Sequence, residues 1–230
     1  MIASINQPAY LPWLGYFDRI LRSDVHIVLD HVQFEKNSFT NRNKVRTPDG
    51  WTWLSVPVQT KGRFGDLAID RLPVANERPW ARKHWDTLRF NYRRAAHFEE
   101  EAPFWEDVYA RSWERLLDLQ RTTLDHTLAV LEIDTRLLSS AALGVGGAKD
   151  ELVLNLCRHV GATVYLSGPL GRDYLVPERF EAAGIELRFN DFVHPTYPQA
   201  HPGFEPYMAA LDAILCLGAH GCRELLEAAP

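Results

Sequence analysis

Four short runs of this sequence gather residues that can bind or transfer a charged group. The first, Gln7-Pro8-Ala9-Tyr10-Leu11-Pro12-Trp13-Leu14-Gly15-Tyr16-Phe17, follows an apolar stretch, Met1 to Ile5. Gln7 and Tyr10 offer polar groups, and Trp13 and Tyr16 offer flat faces. Pro8 and Pro12 stiffen the backbone, so little freedom is lost on binding. Gly15 permits close approach near a helix start, where free N–H groups and the helix dipole favour an anion. A nucleotide or phosphosugar fits this description, and so does a rigid aromatic packing corner.

The second run is Asn41-Arg42-Asn43-Lys44. Arginine presents a planar fork to phosphate or carboxylate, and lysine a mobile point charge. Asparagine supplies both donor and acceptor. A solvated surface turn has the same composition. The third is Lys83-His84. Adjacent helical residues point about 100° apart, so the two do not share one pocket fully. An ordinary histidine titrates near neutrality and suits proton transfer, although a lone helical histidine is also a common packing residue.

The fourth run is Ser167-Gly168-Pro169-Leu170-Gly171-Arg172-Asp173-Tyr174. Its glycines let backbone approach a ligand, and Ser167 and Tyr174 can hydrogen-bond one. A Gly-x-Ser-x-Gly elbow is absent, so Ser167 reads as a binding residue and not a nucleophile. The phosphate-loop Gly-Lys-Ser/Thr signature is also absent. Asp191, His194 and His201 are spaced irregularly across Pro195, Pro198 and Pro202, unlike the tighter Cys/His patterns of zinc sites, and no metal is predicted. Gly144 to Gly147 reads as a flexible turn and cap.

These runs need strands and helices to place them. The sequence predicts a strand over Met1–Ile5, a helix over about Phe17–Arg22 and a strand over Val25–Leu29. Phe39–Arg46 reads as too polar for a core segment. Pro48-Asp49-Gly50 is a turn signal, followed by a strand over Trp51–Val58, so the flanking segments form a hairpin or two strands parted by a polar excursion. Lys61–Asp66 reads as loop and Ala68–Leu72 as a short strand. Trp80, His84, Leu88 and Tyr92 share a helical stripe. A longer helix is expected from Pro103 to about Glu132, with a strand over Thr135–Leu138. A helix over Lys149–His159 stops at Gly161. A strand over Thr163–Leu166, a helix over Pro177–Ala183 and a strand over Ile185–Phe189 follow.

Strands interleaved with helices predict a mainly parallel α/β sheet, with a helical insertion at 80–132 inside one domain spanning 1–230. The chain has 230 residues, 46% of them hydrophobic, enough to bury a core. Its net charge of −5 argues against a general nucleic-acid binder, which needs a basic excess. There is no run of eighteen apolar residues to span a membrane, nor the charged start and apolar stretch of a signal peptide. Cys157, Cys216 and Cys222 form neither a metal-spaced pair nor an even disulfide set, so a cytoplasmic location is expected.

The run from Gln7 to Phe17 closely resembles the opening motif of the WbqC-like family. Further matches are Asp30 with Gln33, Asn41-Arg42-Asn43-Lys44, Val56-Pro57-Val58, Lys83-His84, and Tyr165-Leu166-Ser167-Gly168 with Tyr174-Leu175. They continue through Tyr197 and Phe204, in order over almost the whole chain. The resemblance implies a substrate-binding set of Gln7, Tyr10, Trp13, Tyr16, Asp30, Gln33, Asn41, Arg42, Asn43, Lys44, Lys83, Ser167, Gly168, Tyr174 and Tyr197. It implies His84 as the acid–base candidate, with Arg42 and Lys44 gripping an anion that Asn41 and Asn43 orient. Such proteins are encoded in bacterial surface-polysaccharide and specialised-metabolite clusters, which implies work on a sugar or amino-acid derivative.

A more distant similarity is to the HIGH-motif nucleotidyltransferases, where a first strand leads to His-x-Gly-His and a helix. Here the position reads Trp13-Leu14-Gly15-Tyr16. Aromatic rings cannot supply the charge that the two histidines give to a phosphoryl transition state, so nucleotidyl transfer is disfavoured even where nucleotide binding is kept. The expected fold is therefore α/β with a mainly parallel, Rossmann-like (HUP-like) sheet. The Gln7–Tyr16 loop should lie beside the Ser167–Tyr174 loop, with Arg42 and Lys44 reaching the same crevice. The expected function is a transferase acting on a nucleotide- or phosphate-bearing small molecule, with acyl or aminoacyl transfer to an amine favoured. No cofactor is predicted; a nucleotide-activated substrate fits. The alternative is a non-catalytic small-molecule binding module that supports a partner enzyme.

Overall fold

Strand β1 (Ile2–Asn6) is the centre from which the chain winds both ways. The computed structural model describes residues 1–62 and 67–229; residues 63–66, part of the expected loop over Lys61–Asp66, lie outside the described residues. From β1 the chain passes through α1 (Leu14–Leu21) to β2 (Val25–Val28), and later adds β5 (Arg136–Ser139) outside β2. It then crosses to the other side of β1 for β6 (Val164–Ser167) and β7 (Glu186–Phe189), giving the parallel order β5-β2-β1-β6-β7. This is a Rossmann-like arrangement. The direction of winding reverses between β1 and β6, so a crevice opens at their carboxyl ends.

The two faces of the sheet are covered differently. Ala3, Ile5, Val25, Ile27 and Tyr165 pack with Leu152, Leu156 and Cys157 of α6 (Lys149–His159) and Phe180 of α7 (Pro177–Glu181). On the opposite side, Leu14, Phe17 and Ile20 of α1 share a core with Val28, Leu124 and Leu128 of α4 (Leu116–Val130), and with Ala213 and Ile214 of α8 (Ala210–Glu227). Gly161 and Gly184, with φ of 73° and 70°, end the segments after α6 and α7 as glycine permits.

A second unit of structure stands beside the sheet. Strands β3 (Arg42–Thr47) and β4 (Gly50–Ser55) form an antiparallel hairpin around Pro48-Asp49-Gly50. The segment that reads as too polar for a core is thus a strand. Asn43 and Val45 point inward and are wholly buried, whereas Arg42 and Lys44 alternate outward. Val45, Leu54 and Val56 pack against Trp80 and Leu88 of α2 (Trp80–Tyr92), and Trp105 and Val108 of α3 (Phe98–Ala110).

Two helical boundaries differ from expectation. The single helix expected from Pro103 to Glu132 is two helices, α3 and α4. Glu99, Glu100 and Glu101 start α3 earlier, where acids suit the helix dipole, and Pro103 is accommodated inside it. Extended Arg111 and Arg115 break the run, so that Glu114 and Leu116 can bond the Leu72–Val74 backbone. The expected strand over Ala68–Leu72 is a 3-10 turn, Ile69–Arg71. Helix α8 had no counterpart in the sequence reading. It is broken at Gly218 (φ 75°, ψ 176°), where a Cβ would overlap the His97 ring.

Helix α8 carries a buried carboxylate that ties these units together. Asp212 accepts hydrogen bonds from Tyr92 Oη (2.6 Å), Tyr197 Oη (2.9 Å) and Gln199 Nε2 (3.0 Å). Gln199 Oε1 in turn accepts from Arg46 Nε (3.2 Å) on β3. Burial pushes the Asp212 carboxyl above the ordinary range, against the opposing effect of its three donors. Asp212→Ala leaves the buried Tyr92 and Tyr197 hydroxyls without an acceptor and takes one of the two acceptors of Gln199 Nε2, and should cost about 3 kcal/mol. Tyr197→Phe, which removes one bond, should cost about 1 kcal/mol. Urea unfolding midpoints test both values; equal losses for the two variants would refute the shared-carboxylate account.

Candidate functional site

The outward face of the β3–β4 hairpin interleaves cations with aromatic rings. Arg42 lies 4.2 Å from the Trp53 ring centroid, and Lys44 Nζ lies 4.8 Å from that of Trp51. Phe39 continues the row, with ring centroids 6.0 Å from Trp53 and 5.1 Å from Trp13. Arg42 Nη2 donates to the Asn37 carbonyl at 2.5 Å, while its Nε is sealed from solvent with no hydrogen-bond partner among the described residues.

Beside this row runs a groove with two compartments. One, about 610 Å³, is lined by Lys36, Asn37, Asn41, Arg42, Glu77 and Arg78 among others. The other, about 370 Å³, is lined by Trp53, Trp80, Lys83, His84 and Thr87 among others. Ser55, Pro57 and Arg78 belong to both walls. Four cations thus face one carboxylate, Glu77, among the described lining residues. A cleft lined mostly by one sign of charge concentrates the opposite sign in a ligand.

His84 closes the inner wall. Its Nδ1 is 2.8 Å from Tyr10 Oη, which is 2.6 Å from Tyr109 Oη, and the ring also bonds the Ser55 backbone. Burial pulls its pKa down to about 4, so the ring is neutral at pH 7. The hydrogen-bond pattern suits a proton on Nε2 directed at the Ser55 carbonyl, with Nδ1 accepting from Tyr10. Tyr10 itself is wholly buried behind the groove.

Other residues of the expected set stand at the carboxyl ends of β1 and β6. Tyr16 Oη donates to the Gln7 carbonyl at 3.4 Å. Ser167 Oγ donates to the Gly168 carbonyl at 3.1 Å and occupies the space that a Cβ on Gly171 would need. Tyr165 bonds Ser167 and Tyr174 through its side chain. A Cβ on Gly168 would overlap the Arg19 guanidinium. The glycines of this loop admit the chain's own side chains, not only a ligand.

The remaining residues of the expected set are bonded or packed within the chain. Asp30, 3% exposed, accepts from Ser139 Oγ (2.6 Å), Ser140 Oγ (3.0 Å) and Ala141 N (2.9 Å), clamping β2 to the start of α5 (Ser140–Leu143). It also lines a cavity of about 200 Å³ with Pro8 and Gln120. Asn41 Nδ2 donates to the Val56 carbonyl, and Asn43 Nδ2 to that of Leu11. Exposed Gln33 accepts from Leu67 N, and Tyr197 is held by Asp212. Trp13 packs on Tyr16 and Phe39. Asp191 is taken by a two-point pair with Arg172.

The single crevice expected from sequence is therefore two places. Asn41, Arg42, Lys83 and His84 meet at the hairpin groove, with Lys44 on the adjoining aromatic row. Gln7, Tyr16, Ser167, Gly168 and Tyr174 meet at the carboxyl edge of the sheet. The separation arises because β3 and β4 form their own sheet and pack on α2. Sequence reading missed Lys36, Arg78 and Arg19. The signal for Arg19 was an Asp18-Arg19 pair within an otherwise apolar helix.

The chain belongs to the WbqC-like protein family, whose model matches residues 7–224. It is similar to an uncharacterized protein, Rv1507c, of Mycobacterium tuberculosis, with 37% identity over 218 residues covering 94% of each chain. No solved structure matches it. Among the described residues no helix is long and apolar enough to cross a membrane.

Two buried histidines make acid stability a test of this geometry. His26, bonded to Ser4 Oγ at 2.8 Å, is pulled down to about 3 by burial and then by Arg19, and His84 to about 4 by burial. Both folded values lie below the ordinary 6.5, so the unfolded chain binds more protons. The stability is fully present above about 6.5 and is lost as pH falls, by about 1.4 kcal/mol per pH unit for each histidine. Urea midpoints at pH 7, 6 and 5 should fall steadily. His84→Gln should flatten that slope by about one proton; an unchanged slope would contradict the buried neutral ring.

Proposed function

We propose that this WbqC-like protein is a small-molecule transferase whose substrate carries a phosphate or nucleotide held in the hairpin groove. The observation that carries this reading is the convergence of Lys36, Arg42, Arg78 and Lys83 on two joined compartments, in a chain whose net charge is −5. The compartment volumes fall in the range of small-molecule sites, about 300–1,000 Å³. The Arg42 fork suits a phosphate oxygen pair, and the Trp53 and Phe39 rings beside it offer planar surfaces for a base or sugar.

Acyl or aminoacyl transfer to an amine is the chemistry we favour, in the surface-polysaccharide or specialised-metabolite setting that the sequence resemblance implies. His84 is the acid–base candidate at the inner wall. To take a proton from the substrate amine it must release the Ser55 carbonyl and carry its proton on Nδ1 instead, donating to Tyr10, which in turn donates to Tyr109; the Nε2 lone pair is then free to accept the amine proton as the acyl group's bond to its phosphate-bearing leaving group breaks. The occupied state of both ring nitrogens supports the second reading, a binding module that presents its ligand to a partner enzyme.

Calorimetric titration with ADP and with pyrophosphate tests the groove. Loss of one charge-assisted contact is worth about 1.5–3 kcal/mol, so Arg42→Ala and Arg78→Ala should each weaken binding by at least about tenfold. Neither should change the melting temperature appreciably. Unaltered affinity in both variants would place the ligand elsewhere. Mass-spectrometric detection of donor consumption in the presence of an amine, lost in His84→Gln, separates the enzyme from the binding module.

A further inference from the structure

We propose that Arg19, at the carboxyl ends of β1 and β6, forms a second anion site that takes the phosphate or carboxylate group of a small molecule. The site goes beyond the hairpin groove and stands on different residues.

Arg19 projects from α1 to the point where the sheet's winding reverses. Ser4 pairs with Leu166 across β1 and β6, so two residues on, Asn6 and Gly168 stand at the sheet's carboxyl edge. The guanidinium lies against the Gly168 backbone, in the space a Cβ would fill. The residue as a whole keeps partial exposure, but Nε is sealed from solvent and has no hydrogen-bond partner among the described residues.

Among the described residues its charge has no committed counter-ion. The neighbouring acid, Asp18, is wholly buried and already accepts from Arg22 Nε (2.8 Å) and Asn190 Nδ2 (2.6 Å). The other groups around Arg19 are the phenols of Tyr16, Tyr165 and Tyr174 and the neutral ring of His26. Asn6 Nδ2 and His26 Nε2 are likewise sealed and without partners among the described residues. A buried cation beside spare donors is costly alone and is complemented by an anion. Burial pulls Arg19 below its ordinary pKa, as expected of an uncompensated charge. Tyr174, 46% exposed, stands at the rim and gives a ligand a way in.

This arrangement is opposite in sense to a structural arginine. Arg46 is also buried, yet it donates to the carbonyls of Thr47, Gly50 and Pro202 and to Gln199. Arg19 has the same burial problem without that solution.

Thermal unfolding with inorganic phosphate and, separately, acetate tests the site. Wild type and Arg42→Ala should both be stabilised by millimolar phosphate, acetate measuring how far a carboxylate substitutes. Arg19→Met placed in the Arg42→Ala background should lose that response, while the melting temperature of Arg19→Met without anion equals or exceeds that of wild type. Tyr174→Phe, at the exposed rim and thus safe for folding, should weaken phosphate binding about threefold or more. A phosphate response that vanishes in Arg42→Ala overturns the proposal and leaves the groove reading standing. A destabilised or unfolded Arg19→Met, together with unchanged affinity in Tyr174→Phe, also overturns it and makes Arg19 a structural plug.

Discussion

One buried carboxylate ties the hairpin, α2 and α8 together, over the apolar core that the three share. Asp212 on α8 binds Tyr92 from the end of α2, and Tyr197 and Gln199 from the segment before α8. Tyr92 Oη also accepts from Arg46 N on β3, and Gln199 Oε1 from Arg46 Nε. The hairpin, α2 and α8 are thus fixed by a chain of bonds in which each buried donor has an acceptor. Buried polar networks of this kind specify one arrangement where apolar packing alone would tolerate several. The outward residues of the hairpin inherit that rigidity, which is what lets Arg42 and Trp53 hold a fixed surface toward the groove.

The N-terminal loop couples this unit to the parallel sheet. Its first residue, Gln7, leaves β1 at the sheet's carboxyl edge, and three residues later Tyr10 bonds His84 on α2. Gln120 of α4 holds the loop from outside, donating to the carbonyls of Pro8 and Thr40. Pro8 and Pro12 limit how the loop can bend. The aromatic and polar wall seen in the sequence is therefore a strut. Tyr10 and Tyr16 face inward, and the loop's contribution to a ligand site is to hold both ends of the strut in place.

The parallel sheet and helices α2 and α6 were legible because their apolar periodicity is strong, as at Trp80, His84, Leu88 and Tyr92. The break between α3 and α4 was not, because Arg111 to Arg115 leaves the helix to pair with Leu72–Val74, a contact distant in sequence. The polar look of β3 misled for a similar reason: Asn43 is buried only because the Leu11 carbonyl waits for it. Site residues were legible by type but not by partner. Asp30 and Asn43 read as ligand-binding groups by type, and their donors and acceptors are met within the chain; Arg19 reads as an ordinary helical arginine, and its Nε has no partner among the described residues.

That contrast separates two kinds of buried polar group in this molecule. Asp30, Asp212 and Arg46 are buried, charged in type and satisfied internally by three or more bonds each. A fold gains specificity from such groups and needs no ligand to complete them. Arg19 Nε, Asn6 Nδ2 and Arg42 Nε are sealed without partners among the described residues, and leaving a polar group in that state costs the fold stability. These three lie at the sheet edge and the groove; sealed atoms without partners among the described residues also occur elsewhere, at Trp85 Nε1, Asn91 Oδ1 and Gln120 Oε1. The transferase we propose would have to hold two reactants in fixed relation, and two anion-attracting sites joined by a proline-stiffened strut would meet that requirement.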